Sequence, residues 1–316
     1  MNRSPASYHR KRTRLLPAMV ATVFVVVMLC FVWMGFRVAS SPAQFRQSTI
    51  LVGESVHIVS WDAKREHVVL VDLPGTAVIE GTHGYGKYPL FSLLKLDTID
   101  RHDGKVFTES LSDALGLPLL GVAQLSSDAP KEGSVELLRH TFSWKSLFDV
   151  KKHHVVSWGT WASWVLATRS LKADQVETIN AKQVLVDQSQ PDGSTISLLD
   201  AQRFDYLYGN LFTDTRIRTE GVTVSVYNTT GVPTIGQRAA RILAQLGVSV
   251  VTVGNDETAI ANCVLEGTKT SLRSYTAKFI RFYFDCETKQ NEEVSGTSDL
   301  SLRLGTEYAS IFAPRK

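Results

Sequence analysis

Val222-Thr223-Val224-Ser225-Val226-Tyr227 opens the stretch whose reading decides the fold. The valines at 222, 224 and 226 alternate with polar or amphipathic neighbours, which is the pattern of a half-buried strand. Asn228-Thr229-Thr230-Gly231-Val232-Pro233 then supplies turn formers that stop the strand. From Thr234 to Gly247 the apolar residues Ile235, Ala239, Ile242, Leu243 and Leu246 recur at helical spacing. Gly247 stands where a glycine ends a helix. Val248 to Val253 is nearly continuous apolar sequence and reads as a second strand, closed by Gly254-Asn255. Strand, helix, strand in that order predicts an α/β fold class.

At the other end of the chain, Leu15 to Phe36 is 22 residues without a charge. At about 1.5 Å per helical residue this crosses a hydrocarbon core of about 30 Å. Arg3, Arg10, Lys11, Arg12 and Arg14 precede it, only Arg37 follows closely, and the first acid in the chain is Glu54. The asymmetry predicts residues 1–14 as a cytoplasmic basic tail, 15–36 as a transmembrane signal anchor, and everything after about 38 outside the cell. A cleavable signal peptide is the rival, favoured by the small residues Ala39-Ser40-Ser41-Pro42-Ala43 but not by the length of the apolar run.

The formal charge of +3 hides this asymmetry. Residues 1–38 hold six bases and no acid, so the remainder has 34 − 6 = 28 bases against 31 acids. No basic stripe with interleaved aromatics appears, so no nucleic-acid partner is predicted. Cys30 lies in the apolar run. Cys263 and Cys286 fall in the exported part, where they either form a disulfide or remain two buried thiols. No C-x-x-C spacing or His/Cys cluster predicts a metal, and the adjacent His153-His154 side chains diverge on any regular element. No cofactor is implied.

Between the ends, residues 39–48 read as a spacer. Ile50–Trp61 and His67–Leu73 form a hairpin around Asp62-Ala63-Lys64-Arg65-Glu66, and Ala77–Glu80 is a further strand. Gly81-Thr82-His83-Gly84-Tyr85-Gly86-Lys87 is a glycine-rich loop, read as a surface turn in preference to a phosphate or glycan contact. Leu90, Leu93, Leu94 and Leu96 give one short helix and Val106–Leu115 a second, stopped by Gly116; Leu119–Leu125 is a strand. Helical spacing returns in Trp144–Phe148 and Val155–Thr168. Trp158, Trp161 and Trp164 in the latter could serve as a sugar platform, although such a stripe is more often core. Strands at Val184–Val186 and Ser194–Leu199 flank Pro191-Asp192-Gly193, and a helix covers Asp200–Phe212. The polar run Thr213–Gly221 is the expected domain boundary.

The order strand, N-x-T-G-V-P, helix, Leu-Gly, strand, Val-Gly-Asn over 222–255 resembles the C-terminal domain of the LytR-CpsA-Psr cell-envelope proteins. Fainter likeness to that family's catalytic domain lies in the strands Val56–Ser60 and Val68–Val71 running into Asp72-Leu73-Pro74-Gly75-Thr76, and in the helix end Ala114-Leu115-Gly116. The resemblance implies transfer of a glycopolymer from a polyprenyl-pyrophosphate carrier, with arginines clamping the pyrophosphate beside an acid and Mg²⁺. The departures fall on that machinery. Gly75-Thr76 stands where an Arg-Asp pair belongs, Gly53-Glu54-Ser55 brings no arginine, and Gln202-Arg203 reverses the expected Arg-Gln order. Gly231-x-x-x-x-Gly236-Gln237-Arg238 lacks the lysine and hydroxyl of a phosphate loop, and Glu292-Glu293 reads as solvated loop charge.

The expectation is therefore a single-pass membrane protein with two exported mixed α/β domains. Residues 48–215 would be a degenerate LytR-CpsA-Psr-like domain, and 220–313 a LytR C-terminal-like domain closed by a strand at Leu300–Leu304. No catalytic or metal residue is assigned. The role expected is binding or scaffolding at the cell wall, with peptidoglycan or an envelope protein as partner. The alternative is an active glycopolymer transferase using arginines from elsewhere, with Arg101, Arg139 and Arg203 as candidates.

Overall fold

The computed structural model describes Met28 and residues 45–62, 64–125, 133–147, 153–154, 158–292 and 298–313. The predicted tail, the span at 15–36 (Met28 apart) and Cys30 lie outside them. Among the described residues no helix is long and apolar enough to cross a membrane.

Among the described residues three sheets organise a mixed α/β fold. The first has six strands: β1 (Gln47–Val52), β2 (Val56–Asp62), β3 (His67–Leu73), β6 (Leu119–Gln124), β7 (His153–His154) and β8 (Val176–Asn180), in the order β7-β6-β1-β2-β3-β8. The expected single strand Ile50–Trp61 is two strands, because Gly53-Glu54-Ser55 turns the chain, with Gly53 N–H donating to Ser55 O at 3.0 Å. The run looked continuous because both faces of this sheet are covered, so neither needs polar alternation. Helices α1 (Leu90–Ile99) and α2 (Lys105–Leu115) pack Leu90, Leu93, Phe107, Leu111 and Leu115 against Ile50, Ile58, Val69 and Val71 on one face. On the other, α3 (Ser134–Thr141) and α5 (Trp158–Ser170) pack Leu138, Trp161, Trp164 and Val165 against Leu51, Val59, Val68 and Leu70. The short α4 (Trp144–Leu147) follows α3 along the chain.

The second sheet, β5-β4-β10-β9, is built from β4 (Val78–Gly81), β5 (Gly86–Pro89), β9 (Leu185–Ser189) and β10 (Thr195–Leu199). The glycine-rich loop is thus the turn of the β4–β5 hairpin. Pro191-Asp192-Gly193 turns β9 into β10, with Asp192 Oδ1 accepting from Ser194 N–H (2.9 Å) and Oγ (2.6 Å). The predicted helix Asp200–Phe212 is α6 (Ala201–Tyr208) followed by a 3₁₀ turn at Gly209–Phe212.

The third sheet, β12-β11-β15-β13-β14, comprises β11 (Thr223–Asn228), β12 (Ser249–Asn255), β13 (Val264–Gly267), β14 (Glu287–Gln290) and β15 (Leu300–Leu304). Helices α8 (Ile235–Gln245), α9 (Tyr275–Phe284) and α10 (Thr306–Ser310) accompany it. Val224 and Val226 of the central β11 meet Ile235, Ala239 and Leu243 in a separate core. β11 is parallel to both neighbours, as the strand–helix–strand order requires.

One further expectation needs correction at the junction of the units. Residues 45–48 are not spacer: Phe45 is buried in the C-terminal core, Arg46 is buried, and Gln47-Ser48 begin β1. The polar run at 213–221 is largely a helix, α7 (Thr215–Glu220), capped by Asp214 and stopped by Gly221 at φ 65°. Ile217 of this helix is core.

Cys263 and Cys286 are joined by a disulfide across a sequence separation of 23. Closing a loop of that length contributes about 3 kcal/mol through the unfolded chain. Alkylation of the unfolded protein without reductant should therefore label Cys30 alone, and reduction should lower stability by that amount. Labelling of all three thiols before reduction would sink the assignment.

Glu220 supplies a pH-dependent support for α9. Its carboxylate accepts from Tyr275 N–H (2.8 Å), Thr276 N–H (2.8 Å) and Thr276 Oγ1 (2.7 Å). Burial pushes its pKa up, but these hydrogen bonds and the Lys278 charge outweigh it and hold the group below its ordinary value. A depressed carboxylate pKa stabilises the fold above the unfolded-state value of about 4.3 and loses that contribution as pH falls through the folded value. Amide exchange in the first turn of α9 should accelerate on acidification below about pH 4.3, and Glu220→Gln should flatten that dependence.

Candidate functional site

A cleft of about 400 Å³ lies between the two units, lined by Glu80, Asp113, Thr234, Gln237, Arg238 and Arg241 among others. It forms because α2 points its C-terminal end at the side of α8. Helix ends carry unpaired carbonyls and partial negative charge. Here the neighbouring unit supplies the donors. Arg241 donates to the carbonyls of Asp113 (2.6 Å) and Ala114 (3.1 Å), and Gln245 to that of Leu115 (3.0 Å). Arg241 also forks onto Asp205 of α6, Nε to Oδ2 at 2.6 Å and Nη2 to Oδ1 at 2.8 Å, a bidentate pair. Gly116, which ends α2 at φ 66°, is fixed twice over. Its conformation favours glycine, and a Cβ would press on the Arg241 guanidinium at 3.0 Å.

Arg238 is engaged in the same way. It pairs with Asp113 and lies over the Phe312 ring, 4.7 Å from its centroid. Tyr283 shares a 2.7 Å hydrogen bond with Ser112, and burial pushes its phenol pKa up to about 12. Every cation lining the cleft is thus tied to the opposite unit. The arrangement can hold two domains in register; it does not present free guanidinium forks to a ligand. A second cleft, about 390 Å³, mixes Arg46, Arg65 and His67 with Glu177.

The motif carried over from the envelope-protein resemblance lies elsewhere, at the end of β3. Asp72 faces His57 across the strand pair, Oδ1 to Nδ1 at 3.3 Å. Burial lowers the His57 pKa, and the Asp72 charge opposes that. Gly75 is buried beneath the Phe91 ring, which overlaps the position any Cβ would take, and Thr76 is exposed. The replacement arginines do not converge. Arg139 donates to Thr168 O (3.3 Å) and Leu171 O (2.7 Å) at the end of α5. Arg101 is exposed in the turn after α1, Arg203 is exposed on α6, and none of the three lines either cleft.

The other candidates are structural. Asn228 closes the Gly231–Gly236 loop on itself, accepting from Thr230 N–H (3.0 Å) and donating to Val232 O (2.8 Å). In the glycine-rich loop His83 Nε2 lies 2.6 Å from Glu109, and Tyr85 bonds Asp100. Trp161 and Trp164 are core. Among the described residues no three His, Cys, Asp or Glu side chains converge on a metal position. Sequence reasoning missed Asp205, Arg241 and Asp214. The one available signal was Arg238 and Arg241 at i, i+3 on a helix whose other face is core.

No curated protein matches the chain. The transcriptional regulator yvhJ from Bacillus subtilis is 10% identical, with 53% of this chain and 96% of that chain covered and a TM-score of 0.40. TagT from B. subtilis is 13% identical, with 53% and 89% covered and a TM-score of 0.37. The LytR-CPS2A-psr family protein YwtF (TagT) with bound octaprenyl pyrophosphate lipid is 13% identical, with 66% and 93% covered and a TM-score of 0.32. Scores of this size do not equate two folds. The assignment rests on sequence: residues 221–308 match the profile of the family described as LytR cell envelope-related transcriptional attenuator. Residues 221–308 are therefore a LytR-type C-terminal domain of the LytR-CpsA-Psr cell-envelope proteins.

Proposed function

We propose that this cell-envelope protein is anchored in the membrane by residues 15–36 and that its exported part binds or scaffolds at the cell wall without catalysing transfer. The observation that carries the non-catalytic reading is Gly75. The motif position where the family pattern implies an arginine holds a glycine packed under the Phe91 ring, so this chain supplies no guanidinium there. The arginines that could compensate are exposed or engaged by helix-end carbonyls. Without a guanidinium at that position the motif offers the pyrophosphate no planar cationic clamp.

The full-length protein, reconstituted in vesicles, should pellet with purified peptidoglycan and should neither retain nor turn over a polyprenyl-pyrophosphate analogue in the presence of Mg²⁺. Mg²⁺-dependent retention of the analogue that disappears with Arg101→Ala, Arg139→Ala or Arg203→Ala would replace this reading with a transferase.

A further inference from the structure

The chain enters the described fold at Phe45, and what surrounds that entry has a chemical character of its own. The Phe45 ring packs against three rings of α9: Tyr275 at 5.0 Å between centroids, Phe279 at 5.5 Å and Phe282 at 5.9 Å. Phe279 belongs to the buried side of α9 with Thr276, Ala277, Ile280 and Phe284. Lys278, Arg281 and Phe282, at i, i+3 and i+4, share the opposite, exposed side, where Phe282 keeps 42% of its surface in solvent. Arg216 of α7 extends the same side, its guanidinium 5.5 Å from the Tyr275 ring centroid. Across α7 and residues 271–285 five cations, Arg218 and Arg273 included, stand against two acids, Glu220 and Asp285. The Glu220 carboxylate is itself held by α9's own amides.

Chain length places this face. With residues 15–36 in the bilayer, as proposed above, residues 37–44 are all that separates the membrane from Phe45. Those 44 − 37 + 1 = 8 residues reach at most about 28 Å when fully extended. A half-exposed aromatic ring flanked by cations, on a tether that short, has the composition of an interfacial contact: the ring enters the headgroup boundary and the cations pair with lipid phosphates. We propose that the Lys278–Arg281–Phe282 face of α9 rests on the outer surface of the membrane and takes anionic phospholipid headgroups. The inference rests on the anchor reading for its geometry, and on the charge and exposure of α9 for its chemistry.

The test uses the full chain with Cys30→Ser, reconstituted in vesicles of phosphatidylcholine alone or mixed with phosphatidylglycerol. An environment-sensitive fluorophore is attached at Phe282→Cys, or at Lys278→Cys, which leaves the Phe45–Phe282 stack intact. Tyr206→Cys on α6, 87% exposed, is the reference position. Quenching by headgroup-labelled lipid should be several-fold stronger at 278 and 282 in the phosphatidylglycerol vesicles, and should fall with salt and with Arg281→Glu. Labels at 278 and 282 as aqueous as the one at 206 would overturn the contact. Carbonate extraction separates the two ideas. Protein that is stripped off yet still brings position 278 to added phosphatidylglycerol vesicles loses the anchor and keeps the contact, whereas stripped protein with no such response loses both.

Discussion

Replacing Asp214 with alanine is expected to cost about 3–5 kcal/mol, the range for removing one partner from a buried charged network. Asp214 is only 4% exposed. Its Oδ2 accepts from Arg46 N–H (2.9 Å) and Tyr275 Oη (3.1 Å), and its Oδ1 accepts from Arg216 N–H (2.8 Å) and Ile217 N–H (3.2 Å). One carboxylate therefore ties the entry of β1, the first turn of α7 and the start of α9. Alanine removes the acceptor of four hydrogen bonds and strips a counter-charge from the Arg46 guanidinium, whose pKa burial lowers to about 10 against the opposing pull of Asp62 and Asp214. That value keeps Arg46 a cation at neutral pH. Losing a helix cap alone would cost about 1 kcal/mol, so most of the effect comes from the other lost hydrogen bonds and the charge. Asp214→Asn keeps an acceptor and should recover part of the loss. The Tyr275 phenol, held well above its ordinary value by burial and then by Asp214, should titrate lower in both variants. Hydrogen exchange distinguishes a three-way joint from a simple cap: amides at 45–52, 215–220 and 275–284 should all speed up together. Acceleration confined to 215–220 would reduce Asp214 to a cap.

The contrast between Asp214 and its surroundings shows what a sequence carries and what it does not. Thr213–Gly221 reads in the sequence as a polar break because its residues lack a long apolar period. Its role as a joint was not legible, since that depends on Arg46, 168 positions away, and Tyr275, 61 positions away. Local signals with a backbone cause transferred well. Gly116 ends α2, Asp192-Gly193 turns a hairpin, and the alternation in 223–228 is a strand with one face in the core. Phe45 illustrates the opposite case. A lone aromatic in a polar stretch has no period to report, and only the distant rings of α9 make it core. Likewise Gly75 announced a missing arginine, but nothing in the order of residues announced that Phe91 would lie over it. Arg241 and Asp205 follow the same logic: each is an ordinary charge on its own helix until the two units meet.

Trp164 offers the second large effect, and it decides between two readings of the tryptophan stripe on α5. As a sugar platform the indole would be exposed, and its loss would abolish binding while leaving stability intact. As core, its loss should cost about 3–5 kcal/mol, the range for truncating a buried aromatic to alanine. The surroundings favour the core. Trp164 is fully buried, stacks on Phe142 at 4.8 Å and 15°, and meets Trp61 of β2 at 5.6 Å. Trp161 packs on the same Phe142 at 4.7 Å, so one alanine opens a cavity under the whole outer layer of the six-stranded sheet. The indole Nε1 is buried with no hydrogen-bond partner among the described residues. Trp164→Phe therefore removes an unsatisfied donor along with some volume, and the two changes oppose each other. It should stay within about 1.5 kcal/mol of the parent, as conservative core swaps do. Denaturant titration of both variants, with peptidoglycan pelleting on the folded protein, reads the outcome. An alanine variant as stable as the parent but unable to pellet with peptidoglycan would return Trp164 to the ligand surface and undo the two-faced packing of this sheet.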